Sequence, residues 1–193
     1  MCYYARFEKI AGHVFRFDTR IYLGAHDPSA IGECVGAIVG KNPGAAQPKL
    51  LDVCAPLQLK GDKLLPYVHN RFVEAYQKSG KVVPTNAFVQ VWNLFYLCNQ
   101  NLSEAFSTLC SVANPPLCPS ECRKPKVVWF AWGDNDVRLN ILKQRFLGSQ
   151  HQAFYYDQRA GVVRPSIPSI TDFARHTQGM IAMPIVNHLA GIL

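Results

Sequence analysis

The sequence predicts an α/β protein, a three-layer α/β/α sandwich around a central, mostly parallel, four-stranded sheet. Three observations carry that expectation. Short apolar runs at residues 35–39, 88–92, 126–132 and 152–156 lack the polar alternation of a half-exposed strand, which suits strands buried on both faces. Between them, apolar residues recur at helical spacing. A chain of 193 residues, 49% of them apolar, is enough for one domain with a substantial core, so residues 1–193 read as a single unit.

Each element follows in order. Residues 1–24 alternate imperfectly over Val14, Phe15, Phe17, Ile21 and Leu23 and read as an extended region, a hairpin. Val35 to Val39 is the first buried strand, and it empties into the Asn42-Pro43-Gly44 turn. Ala45 to Asp62 holds two prolines and little periodicity, so a long loop is expected. Leu65, Val68, Phe72 and Tyr76 mark an amphipathic helix that starts near Pro66 and ends at Gly80. Phe88 to Trp92 is a strand ending at Asn93, and Leu102 to Leu109 is a helix closed by Asn114-Pro115-Pro116. Lys126 to Trp132 is the clearest strand; Asp134 then caps a helix carrying Val137, Ile141, Leu142 and Phe146. Gln152 to Tyr156 is the fourth strand. In such sheets ligands bind outside the carboxyl ends of the parallel strands.

The formal charge of +7 favours a polyanionic partner such as nucleic acid. The N-terminus MCYYARFEKI lacks the basic and apolar regions of a secretion signal, and no apolar run has the length of a membrane span. A cytoplasmic chain with no membrane association is the expectation. Seven cysteines, an odd number, are then expected as reduced thiols, and Cys98, Cys110, Cys118 and Cys122 lack the tight spacing of most metal sites. His13, His26 and His69 show no metal-ligand spacing either, so no metal and no cofactor is expected.

Three polar features fall where the sheet should hold a ligand: Asn42, Asn93 and the segment RPSIPS at residues 164–169. Together with Gly40-Lys41-Asn42-Pro43-Gly44 and the VVWFAWG strand through Trp132-Gly133, and in this order, they resemble the uracil-DNA glycosylase superfamily. The first motif is similar to the Gly-x-Asn-Pro-Gly form of the mismatch-specific branch. The resemblance covers roughly residues 35–180, with the first 30 residues outside it. It implies a uracil-DNA glycosylase-like fold and a site in which Gly40, Pro43, Gly44 and Asn93 bind the base. Arg164 stands where the family carries a histidine that donates to the leaving base.

Breaking an N-glycosidic bond develops positive charge on the sugar and negative charge on the base, so the site must hold a water and place donors around the base. Asn42 can orient a water through its carbonyl but has no useful basicity. Asn93, with both donor and acceptor, can pair with a pyrimidine edge. Arg164 could stabilise an anionic leaving group or hold a phosphate. Lys41, Ser166, Ser169 and Arg175 are expected on the DNA backbone, and Ile167 either wedges into the gap left by a flipped nucleotide or anchors its loop to the core. His176, beside Arg175, could approach the site or contact phosphate. Asp134 and Asp136 could supply the carboxylate that Asn42 lacks, but capping is the better reading of a helix start. Where uracil-specific members place a tyrosine, Gly44 leaves room at the 5-position of the base. The base-stacking phenylalanine of the family has no counterpart between Lys41 and Lys60, which leaves Phe95, Tyr96 or Tyr67 as substitutes.

The expectation is therefore a monomeric DNA glycosylase that flips out and excises a mismatched or bulky 5-substituted pyrimidine, of the kind found in bacteriophage DNA, in repair or in defence. The alternatives are a nucleic-acid-binding module without catalysis and a hydrolase of free nucleosides or nucleotides.

Overall fold

A computed structural model describes residues 1–44, 48–59, 61–133, 136–148 and 152–193. The N-terminal alternation forms a long hairpin, β1 (Cys2–Ile10) and β2 (His13–Tyr22), with Ile10 opposite His13. Its two-residue turn has positive φ at both Ala11 and Gly12, the handedness that matches the twist of paired strands. Next come β3 (Cys34–Gly40), β4 (Cys54–Pro56), α1 (Leu64–Lys78), β5 (Phe88–Asn93) and α2 (Leu102–Ser111). After these follow β6 (Val128–Phe130), a 3₁₀ turn leading into α3 (Asn140–Leu147), β7 (Ala153–Asp157), β8 (Val162–Arg164) and α4 (Ala182–Ile192).

The four buried strands expected from the sequence lie side by side and parallel, in the order β5-β3-β6-β7. The sheet they sit in is larger and mixed. Its eight strands run β4-β1-β2-β5-β3-β6-β7-β8, with every pairing outside the central block antiparallel. A four-stranded sheet is thus corrected to an eight-stranded one, because the hairpin docks on the edge of β5 rather than standing apart. The expected loop contributes β4 to β1, and β8 folds back on β7.

Alternation along the central strands divides the core in two. Ile38, Val89, Val91, Trp129 and Phe154 face α1 and α4, whereas Ala37, Val39, Trp92, Phe130 and Tyr155 face α2 and α3. Helices on both faces explain why these runs are almost wholly apolar on either side, Gln90 on β5 being the buried exception. α4 escaped sequence reading because Pro184 and Gly191 interrupt its pattern, although Ile185, Val186 and Leu189 are buried. A proline in the first turn costs little.

Around α3 the buried positions are Leu139, Lys143 and Phe146, while Val137 and Ile141 are exposed. The apolar stem of Lys143 packs inward and its ammonium donates to the Ile170 carbonyl at 3.1 Å. Asp136 caps the 3₁₀ turn, accepting from the Arg138 amide at 3.0 Å; Asp134 lies outside the described residues. Among the described residues no helix is long and apolar enough to cross a membrane.

Candidate functional site

The C-terminal ends of β3 and β5 are tied together. Gly40 pairs with Asn93 in the parallel ladder, the Gly40 carbonyl accepts from the Leu94 amide at 3.0 Å, and the Lys41 carbonyl accepts from Phe95 at 3.3 Å. Asn42 and Asn93 therefore emerge on neighbouring strands, and both line one cavity of about 760 Å³. Pro43, Gly44 and His176 belong to the same wall.

The Asn42 amide has a defined orientation. Its Nδ2 donates to the Asn99 carbonyl at 2.7 Å, and because a carbonyl can only accept, Oδ1 must be the side-chain atom turned elsewhere. That leaves an acceptor for a water or a ligand hydroxyl. Asn93 is the opposite case: it is buried, and its Nδ2 has no partner among the described residues. A buried unpaired N–H is costly, and because Asn93 lines the cavity, a group bound there could supply its partner.

Gly40 makes room for it. A Cβ at position 40 would sit 3.1 Å from Asn93 Oδ1, with no other heavy atom closer than 3.8 Å. Gly40→Ala is therefore expected to fold normally while shifting the Asn93 amide by a few tenths of an ångström. A loss of function on the order of 10-fold at unchanged Tm is the expected outcome. Gly44 has φ +68° and open space around it, so a side chain there would meet backbone strain but no clash.

His176 arrives from a segment that crosses the strand ends. Ala174 bridges to both Gly133, after β6, and Asp157, the last residue of β7; the Gly133 amide donates to the Ala174 carbonyl at 2.8 Å. This places Phe173 to Gln178 across the carboxyl edge of the sheet. Nδ1 of His176 accepts from the Gln178 amide at 3.4 Å, which puts the proton of the neutral ring on Nε2. Burial, and then the charge of Lys41, hold its pKa below the ordinary histidine value. A second, smaller cavity of about 420 Å³ adjoins the first through His176 and Gln178, and Lys41 and Arg175 bring positive charge to its wall.

A pH dependence follows from the imidazoles. His188, its ring tilted against Phe154 with centroids 4.7 Å apart, is also held below its ordinary pKa by burial. The unfolded chain takes up these protons first, near pH 6.5, so their contribution to stability is complete above that value and is lost as pH falls. The Tm is expected to drop between pH 7.5 and 5, above the carboxylate range. Thermal melts of His176→Gln and His188→Gln should show a smaller drop.

Arg164, Ser166, Ile167 and Ser169 are not brought to either cavity. Arg164 ends β8, is exposed and pairs with Asp157 at 3.3 Å. Ser166 is exposed, Ile167 packs against the core side that holds α2 and α3, and the Ser169 amide donates to Asp172 at 2.8 Å. The cause is the turn after β7. Asp157 Oδ1 accepts from the amides of Arg159 and Ala160, and Gly161 closes back on the Asp157 carbonyl at 2.8 Å. β8 then runs antiparallel to β7, leading away from the carboxyl edge. The signal was present in the Asp-x-x-x-Gly spacing of DQRAG.

The proposed stacking residues sit elsewhere too. Phe95 and Tyr96 are core, with the Tyr96 hydroxyl bonded to Glu121, and Tyr67 packs on Trp129. The aromatic in the cavity wall is Phe7, directly opposite Arg16 across the hairpin, and both line the cavity. Neither was expected, because the hairpin reads as a separate element until its docking on β5 is known. Among the described residues no group of three His, Cys, Asp or Glu side chains converges as a metal site.

The fold is an α/β one with a cavity at the carboxyl ends of its parallel strands. No family model matches the chain, and no curated protein and no solved structure matches it either.

Proposed function

We propose that this chain is a metal-independent DNA glycosylase that receives a flipped pyrimidine nucleotide in the 760 Å³ cavity and hydrolyses its glycosidic bond. The observation that carries it is the pairing of two amides on adjacent strand ends. One has its nitrogen committed to Asn99 and its oxygen left over; the other is buried with an unpaired nitrogen. The first suits a water, the second a base edge.

In the proposed reaction the bond between the sugar C1′ and the base nitrogen breaks, and its electron pair leaves with the base. Asn93 and the Nε2–H of His176 supply donors for that developing negative charge, one of the two roles the sequence left open for Arg164. The water held by Asn42 Oδ1 adds to the cationic sugar carbon, and the proton it then sheds passes to the departed base anion or to bulk water. An amide can do this work without acting as a base, provided that bond breaking runs ahead of water attack. Phe7 offers an apolar face to the base, and Lys41 and Arg175 offer charge to phosphates beside the cavity.

The test is a panel of duplexes and natural DNAs carrying different pyrimidine modifications, assayed for abasic sites. Base release from at least one duplex is the expected result. DNA binding with no abasic sites on any substrate would instead make the chain a binding module, and preference for free nucleosides would make it a nucleoside hydrolase.

A further inference from the structure

The half of the cavity contributed by the hairpin and by residues 48–59 and 61–64 holds polar groups that base release does not use. Arg16, on β2, is 3% exposed, yet its Nε and Nη1 have no hydrogen-bond partner among the described residues. The nearest acid among them is Asp62, whose Oδ2 lies 4.0 Å from Nη1, beyond hydrogen-bond reach. Cys98 adds no counter-charge, because burial pushes its thiol up to about 11. Arg16 thus holds a desolvated, poorly compensated guanidinium in a cavity wall. Such an arrangement opposes folding unless a group from outside completes it.

Asp62 narrows the chemistry of that group. Its Oδ1 accepts from the amides of Leu64 and Leu65 at the start of α1, at 2.9 and 3.2 Å, which leaves Oδ2 on the side of Arg16. A donor and an acceptor 4.0 Å apart, both lining the cavity, match a hydroxyl, which accepts from one and donates to the other. A carboxylate or phosphate would satisfy Arg16 but would meet the charge of Asp62. A methyl group would satisfy neither. The cavity also lies toward the upper end of the roughly 300–1,000 Å³ typical of ligand sites, more than one pyrimidine ring needs.

We infer that Arg16 and Asp62 form a specificity subsite for a neutral, hydroxyl-bearing substituent on the flipped pyrimidine. This subsite rests on the proposal that the cavity receives a base from DNA. Arg16 is a positioning and specificity residue here, set apart from the amides that act on the bond.

Equilibrium binding tests it with duplexes carrying one cytosine on a 2′-fluoroarabino sugar, which resists cleavage. The 5-position holds hydrogen, methyl, hydroxymethyl, a glycosylated hydroxymethyl or carboxyl. At least one hydroxyl-bearing duplex is expected to bind about 10-fold or more tighter than the 5-methyl one. Arg16→Met should erase that preference while raising the Tm, since it removes a buried charge that Asp62 compensates only weakly at 4.0 Å; a purely structural arginine would lower the Tm on removal. Where Arg16→Met fails to fold, Asp62→Asn decides, because asparagine keeps the cap on α1 but not the charge. Equal binding of methyl and hydroxyl-bearing duplexes, or tightest binding of the carboxylated one, overturns the subsite. Abasic sites on unfluorinated duplexes are scored separately. Abasic sites without substituent preference remove the subsite alone, and substituent preference without abasic sites removes base excision alone.

Discussion

Asn42→Ala is expected to lower the rate of base release by about 100-fold or more while leaving DNA affinity nearly unchanged. Its Oδ1 would fix the attacking water, and a water displaced by about 1 Å costs on the order of 100-fold. Lys41 and Arg175, on the wall of the adjoining cavity, remain in place to hold the backbone. Single-turnover kinetics on the best substrate of the duplex panel, alongside a binding isotherm, make the measurement. Loss of binding with an unchanged single-turnover rate would reassign Asn42 to recognition. Asn42→Asp tests the same point from another side. The carboxylate can take a proton from water, but it also turns an acceptor toward the Asn99 carbonyl that Nδ2 now meets at 2.7 Å. The lost hydrogen bond should cost about 1–3 kcal/mol of stability, so rate and Tm are expected to separate in this variant.

What was legible in the sequence follows from which interactions are local. The strands around Val39, Val91 and Phe130 were visible because burial on both faces keeps each run almost wholly apolar, Gln90 excepted. Once β3 and β5 were placed as strands, the residues at their ends, Asn42 and Asn93, fell where a parallel sheet holds ligands. The hairpin was visible as well, but its destination was not. Docking on β5 is a long-range pairing, and nothing in residues 2–22 specifies that edge. For the same reason Arg16 reads as a solvent-facing member of an alternating strand, and only long-range packing buries it. The helix at α3 shows a different limit. Val137 and Ile141 suggested the inward face, yet Leu139, Lys143 and Phe146 fill it, because a lysine stem can pack as an apolar one does. The loop after β7 turned on a competition between two signals, the Pro-Ser pattern at 165–166 and the Asp157–Gly161 turn. The turn set the path of the chain, and it delivered His176 to the sheet edge in place of Arg164.

Asn93→Leu is expected to produce the second large effect, in which function and stability move in different directions. Leucine has the branching and heavy-atom count of asparagine, is bulkier only by its methyl groups beside the cavity, and carries no polar atom, so it removes the buried Nδ2 that now lacks a partner. The backbone contacts of residue 93 do not depend on its side chain: the amide approaches the Tyr96 hydroxyl at 3.4 Å, and the carbonyl accepts from Arg145 at 2.5 Å. The Tm should therefore be unchanged or higher. Recognition of the base should fall by about 1–3 kcal/mol, or roughly 10- to 100-fold in kcat/KM, with discrimination between bases lost in parallel. Asn93→Asp gives the complementary result. It keeps the shape but adds a charge in a buried position, so both stability and rate should fall near neutral pH. A leucine variant that loses stability without losing discrimination would mean that the amide braces the strand ends, and the base would then have to be recognised elsewhere in the cavity.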